Sequence, residues 1–261
     1  MASESLLVET AGGVGTITMN KPDVHNAFDD ALIDGMTAAF KAMSGDPLIR
    51  AVILKANGKS FSAGADLGWM KRMAGYSEQD NLRDAMALAL LMETIDTCAK
   101  PVIGLVAGPA YGGGVGLVAC CDIALATPDA AFCLSEVRLG LVPAVISPYV
   151  VRAIGDRAAR RWFLTAERFD AKEAWRLGLV HQLVATDKMA AEATRLTDLI
   201  VKNGPAAVAA AKDLIRVVGD SPMGPDVMRY TARRIADIRA SEEGKEGISA
   251  FLEKRKPGWV G

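Results

Sequence analysis

Two apolar periodicities alternate along this 261-residue chain. Short runs with β-like composition, "LLVET" and "GTITMN", flank a Gly-rich turn and predict an opening hairpin. "AVILKA" (51–56), "VIGLVAG" (102–108) and "IALAT" (123–127) are apolar and β-branched, the composition of strands covered on both faces. Between them, "DDALIDGMTAAFKAMSG" and "QDNLRDAMALALLMETIDTCAK" are amphipathic at helical spacing. Strands alternating with helices predict an α/β fold. From about residue 186 the pattern is almost continuously helical, through "DKMAAEATRLTDLIVKN", "PAAVAAAKDLIRVVG" and "DVMRYTARRIADIRAS". The expected organisation is a core of residues 1–190 and a helical region of residues 191–261 that packs on the core or on a neighbouring subunit.

Thirty basic against thirty-one acidic residues leave a formal charge of −1, so no global field draws the chain to nucleic acid or an anionic membrane. A small-molecule partner is expected instead. Cys98, Cys120, Cys121 and Cys133 have neither CxxC spacing nor a nearby histidine, and read as buried reduced thiols rather than zinc ligands or disulfides. That predicts no metal and a reducing, cytoplasmic compartment. The start, "MASESLLVET", lacks a basic region followed by an apolar stretch and does not read as a signal peptide. Residues 101–121 carry no charge and are long enough to span a bilayer, but Pro101, Pro109 and six glycines would break a lipid-exposed helix. The run reads as a buried strand, a loop and the start of a helix.

Three segments carry candidate chemistry. "SFSAGADL" (60–67) follows a strand, and the small residues Ser62, Ala63, Gly64 and Ala65 let a ligand approach backbone N–H groups. "GPAYGGGVGL" (108–117) leads from a strand into a helix, so Gly113 presents its N–H at a helix N-terminus, where free donors and the dipole favour developing negative charge. Either loop alone also fits a plain turn. The glycine triplet has neither GxGxxG spacing nor a following GK[ST], which excludes dinucleotide and phosphate-loop fingerprints. In "AAFCLSEVRLGLVP" (130–143), Glu136 stands between apolar runs, where a desolvated carboxyl would hold its proton toward neutral pH; the alternative is a salt bridge to Arg138.

These segments, in this order, resemble the crotonase, or enoyl-CoA hydratase/isomerase, superfamily. The resemblance runs nearly end to end, through "NKPDVHNAF", "FSAGADL", "KPVIGLVAGPAYGGG", "CDIALA", "SEVRLGLVP" and "LTAERFDAKEAWRLGLVHQLV". It implies a spiral of ββα units with a helical C-terminal trimerisation region, assembled as a homotrimer or homohexamer. The implied ligand is an acyl-CoA thioester, with coenzyme A as part of the substrate and no separate cofactor. Its enolate is held by two backbone N–H groups, which the motifs place at Ala63 and Gly113; Ala65, Asp66, Gly112 and Gly116 belong to the substrate-binding surroundings. Such a donor is worth roughly 3–4 kcal/mol to an enolate-like transition state.

The sequence also departs from the family pattern. Hydratases of the family carry a first glutamate two residues after the glycine triplet, where this chain has Gly116, and a second that falls on Glu136. Single-glutamate members include isomerases, which move a proton between carbons. Where relatives have a Gly-rich stretch, this chain has "PAVISPYVV" (143–151), a bulkier and stiffer wall. "DLGWMKRM" and the 132–155 segment resemble the hydratases of branched, carboxylated enoyl-CoAs, of the methylglutaconyl-CoA and isohexenylglutaconyl-CoA type. That resemblance implies Lys71 or Arg72 as partner to a distal substrate carboxylate; a solvated helix face is the alternative. His25 and His181 have no nucleophile-elbow context, Asp122 reads as fixing a buried turn, and the basic tail "EKRKPGW" either meets CoA phosphates or is solvated. The expected activity is enoyl-CoA hydration through Glu136, with a single-glutamate isomerase or a degraded CoA-ester binding protein as rivals.

Overall fold

The computed structural model describes residues 5–219 and 221–260; the first four residues of the segment weighed as a signal sequence lie outside them. The predicted hairpin forms from β1 (Leu6–Ala11) and β2 (Val14–Met19), joined at Gly12 and Gly13, whose φ of 57° and 79° suit the tight turn that matches strand twist. α1 (Asp30–Gly45) is capped by the Asp29 carboxylate and buries Leu32, Ile33, Met36 and Phe40. β3 (Ala51–Ala56) then pairs parallel with β2. α2 (Leu67–Met73) and α3 (Glu78–Asp96) lead to β4 (Val102–Val106), every residue of which is buried. The uncharged run 101–121 resolves, as expected, into that strand, a loop bearing β5 (Ala110–Tyr111), and α4 (Gly113–Cys120).

β6 (Ile123–Ala126), β7 (Ala131–Cys133), α5 (Ser147–Thr165), β8 (Phe169–Asp170), α6 (Ala171–Leu177) and β9 (Gln182–Leu183) complete two sheets. One has six strands in the order β1-β2-β3-β4-β6-β9, parallel except for the opening hairpin; the other has three, β5-β7-β8. α5 differs from the stiff wall read in the sequence. Pro148 is accommodated in its first turn, and Gly155, at φ 77°, interrupts the helix midway, so the helical period was broken where it would have been recognised.

α7 (Met189–Val201) buries Met189 and Ala193 against Ile103, Leu105 and Leu125 of the sheet. The expected boundary at residue 190 therefore cuts a helix that belongs to the core. The helices beyond it are α8 (Pro205–Gly219), α9 (Pro225–Ala240) and α10 (Glu242–Leu252), the last not predicted. No described helix is long and apolar enough to cross a membrane. All four cysteines are free and buried.

The base of α4 is clamped by Asp122. Its Oδ2 accepts from the Val102 N–H at 2.7 Å and from Lys212 Nζ of α8 at 2.7 Å, which ties β4, β6 and α8 to one carboxylate. The turn-fixing role read in the sequence is thus correct, with an ion pair added. Burial raises the Asp122 pKa, opposed by Lys212 and the Val102 N–H. Lys212→Met leaves that carboxylate without its cation and is expected to cost roughly 2–4 kcal/mol at pH 7 by urea unfolding. Without its cation the Asp122 pKa rises further, so the deficit should shrink as pH falls and the group protonates.

Candidate active site

The first loop lies between two backbone partners. On one side the Ala63 N–H donates to His25 O (2.9 Å), the Phe28 N–H to Gly64 O (2.7 Å) and the Asp66 N–H to Phe28 O (2.8 Å). On the other, the Phe61 and Ser62 N–H groups donate to Pro109 O, and the Tyr111 N–H to Ser62 O (2.8 Å). Buried Ser62 Oγ donates to Asn26 O and accepts from the Gly64 N–H. The exposed Ala65 N–H, like that of Leu67 at the start of α2, has no partner among the described residues.

This corrects the expected donor. Ala63, two residues earlier, faces the 25–28 segment and spends its N–H on His25, whereas Ala65 has the free group. The motif alone could not decide between them, because the deciding partner is a backbone carbonyl 38 positions upstream (63 − 25).

The second loop leads into α4. Gly112 caps α4 with its own N–H bonded to Cys133 O (2.9 Å), and no side chain caps the helix. The N–H groups of Gly113 and Gly114 have no partner among the described residues; Gly114 is buried, so the half-exposed Gly113 is the accessible one. Space around these glycines is already used. A β-carbon on Gly113 would come within 2.5 Å of the Phe28 ring, and one on Gly64 within 3.2 Å of Tyr111 O. The two loops therefore touch through backbone.

Glu136 begins a short 3-10 turn that ends at Leu139. Its carboxyl lies over Gly112: a β-carbon there would be 3.2 Å from Glu136 Oε1. Gly112 also has φ 51° and ψ −121°, a backbone shape that side chains disfavour, so glycine is required twice over. Glu136 Oε2 is buried without a hydrogen-bond partner. Burial raises the Glu136 pKa, opposed only by its own backbone N–H. The salt-bridge alternative fails because the Arg138 guanidinium instead donates to Ala166 O.

The remaining candidates divide. Asp66 caps α2, accepting from the Gly68 (2.8 Å) and Trp69 (3.0 Å) N–H groups, so its carboxylate is structural. Arg72 is held by Asp30 at 2.6 Å and by Tyr76. Lys71 is exposed with no ion pair or hydrogen bond among the described residues. Gly116 stands where a β-carbon would meet Ile146 Cγ2 at 2.2 Å, a neighbour not singled out for that contact in the sequence. His25 Nδ1 lies 3.0 Å from Ser60 Oγ, and His181 Nδ1 accepts from the Ala124 N–H, so neither histidine joins Glu136. In the tail, Arg255 pairs with Glu246 and Glu253.

Among the described residues no group of three or more His, Cys, Asp or Glu could hold a metal. A cavity of about 600 Å³ opens at the opposite end of α4, beside Cys120, Arg152 and Lys212; its Lys212–Asp122 and Arg152–Asp96 charges are already paired.

The unpartnered N–H groups of Ala65 and Gly113 stand on the two touching loops, and the Glu136 carboxyl lies over Gly112 beside them. Residues 9–261 match the enoyl-CoA hydratase/isomerase family, and the chain belongs to it. It superposes on an enoyl-CoA hydratase from Shewanella pealeana with a TM-score of 0.96 and 46% identity, over 98% of this chain and 96% of that one. It is 36% identical to an enoyl-CoA hydratase of Alternaria alternata over 94% of this chain and 80% of that protein. It is 30% identical to the crotonyl-CoA hydratase of Syntrophomonas wolfei, over 100% and 99% of the two chains.

Replacing Glu136 by Gln separates stability from chemistry. The raised pKa means the folded chain penalises the carboxylate, so stability is full below the ordinary value of 4.5 and falls as pH rises through the folded pKa. Gln mimics the protonated form at every pH. The variant should therefore melt higher than the parent at pH 8, with the difference vanishing near pH 4 in thermal scans.

Proposed function

We propose that this chain hydrates a 2-enoyl-CoA whose acyl group is branched or carboxylated. The observation that carries the reading is the unpartnered Glu136 Oε2 beside the free Gly113 N–H loop. Water oxygen bonds to the β-carbon, and the alkene electron pair moves to the thioester oxygen. The Ala65 and Gly113 N–H groups hold that oxyanion. The enolate collapses as the α-carbon takes the proton of the Glu136 carboxyl, and the proton surplus on the added water restores it. The product is a 3-hydroxyacyl-CoA, and Glu136 ends as it began.

A site with Glu136 alone also suits a second reading, a double-bond shift in a 3-enoyl-CoA, favoured by the lack of a carboxylate at Gly116. That reaction needs one proton acceptor and no water. Assembly as a homotrimer or homohexamer is supported by the exposed Met228 and Ile235 of α9 and Ile248, Phe251 and Leu252 of α10. Lys71 is the residue left to meet a distal substrate carboxylate, since Arg72 is engaged.

The test is to incubate the chain with 3-methylglutaconyl-CoA, crotonyl-CoA and a 3-enoyl-CoA, following added water by mass and isomerisation by conjugation absorbance. Hydration is expected, with Glu136→Gln lowering it by about 10²- to 10⁴-fold. Isomerisation without hydration would overturn the leading reading. The hydration rate should fall as pH rises through the raised Glu136 pKa, because the proton donor is lost. Lys71→Ala should reduce kcat/KM for the carboxylated substrate by about tenfold while sparing crotonyl-CoA, as loss of a charge-assisted bond implies.

A further inference from the structure

Position 116 lies about one helical turn along α4 from Gly113, on the helix whose N-cap, Gly112, lies against Glu136. The volume beside position 116 is filled. A β-carbon at Gly116 would stand 2.2 Å from Ile146 Cγ2, 2.8 Å from Ile146 Cβ and 3.3 Å from Met92 Cε. Ordinary carbon contacts are about 3.5–4.0 Å. Ile146 has little room to yield: it is 2% exposed, β-branched, and sits at the start of α5. Met92 is fully buried behind it on α3.

We propose that Gly116 and Ile146 act as one determinant. Ile146 fills the space that a carboxylate side chain from α4 would need, so the site is built around Glu136 alone and presents an apolar wall of Ile146 and Met92 in place of a second acid. The chemistry rests on the hydration reading above; the geometry rests on packing. What looked in the sequence like two departures, a missing glutamate at 116 and a bulky segment at 143–151, is one substitution of volume. A single carboxylate then both gives the α-carbon its proton and recovers one from the added water. The pH profile of such a site has one enzyme ionisation, that of Glu136.

The test combines a packing cycle with a kinetic readout. Thermal midpoints are measured for Gly116→Ala, Ile146→Ala and the double variant. Gly116→Ala should lower the midpoint by roughly 2–10 °C, and the same change made in Ile146→Ala should cost less, because the 2.2 Å contact with Ile146 Cγ2 is gone and only the 2.8 Å contact with the β-carbon is left. A Gly116→Ala variant as stable as the parent, or two changes that add without coupling, would show that the space is not shared and overturn the proposal. Next, crotonyl-CoA hydration is followed against pH for the parent, Ile146→Ala and Gly116→Glu/Ile146→Ala. One ionisation is expected in the first two and a second in the last. Two enzyme ionisations in the parent, or a folded Gly116→Glu/Ile146→Ala protein without the second, would also sink it. If Gly116→Glu/Ile146→Ala does not fold, the alanine cycle and the parent's profile still decide. Failure of the hydration reading is distinct: no hydrated product from the parent, or full activity in Glu136→Gln, with the packing coupling intact.

Discussion

The structure depends on leaving backbone N–H groups unsatisfied on two touching loops, Ala65 on one and Gly113 on the other. A free amide is tolerable at Gly113 because a helix start leaves its first donors without intrahelical acceptors. It is tolerable at Ala65 because that residue is exposed, while its neighbours donate to carbonyls on either side: Ala63 to His25, Asp66 to Phe28, Ser62 to Pro109. A side chain at Gly64 would meet the other loop at Tyr111 O, one at Gly112 the Glu136 carboxyl, and one at Gly113 the Phe28 ring. The glycine triplet is a packing requirement.

Glu136 obeys a related constraint. Its carboxyl is carried by a turn that follows the second sheet, and β7 holds that turn beside α4 through the Cys133 carbonyl that receives the Gly112 N–H. Helix start and acid are thus fixed to each other by one hydrogen bond. Burial without a partner leaves the group reluctant to ionise, which suits a proton donor and strains the fold that holds it. At the far end of α4 the opposite solution is used: Asp122 is half-buried, and Lys212 and the Val102 amide compensate it.

Local pattern made much of this legible. The hairpin, the three buried strands and the amphipathic helices before and after them follow from periodicity, and Gly113 and Glu136 follow from motif and apolar context. What escaped depends on contacts distant in sequence. The difference between Ala63 and Ala65 is set by pairing with residues 25–28, and no property of "FSAGADL" reveals which amide that pairing consumes. Asp66 resembled a ligand contact but is spent on the helix it precedes. α5 was hidden by Gly155 within it, and the true extent of the core by α7, whose apolar face meets the sheet rather than its helical neighbours.

The contact between positions 116 and 146 also limits the order in which this site could change over evolutionary time. An acidic side chain arising first at 116 would meet a filled volume and be lost with the fold, whereas a smaller residue at 146 leaves a cavity that a marginally stable chain can survive. The path toward a second acid therefore opens from the α5 side, thirty residues from where the acid would finally stand (146 − 116). A chain holding isoleucine at 146 is confined to the chemistry of one carboxylate until that residue shrinks.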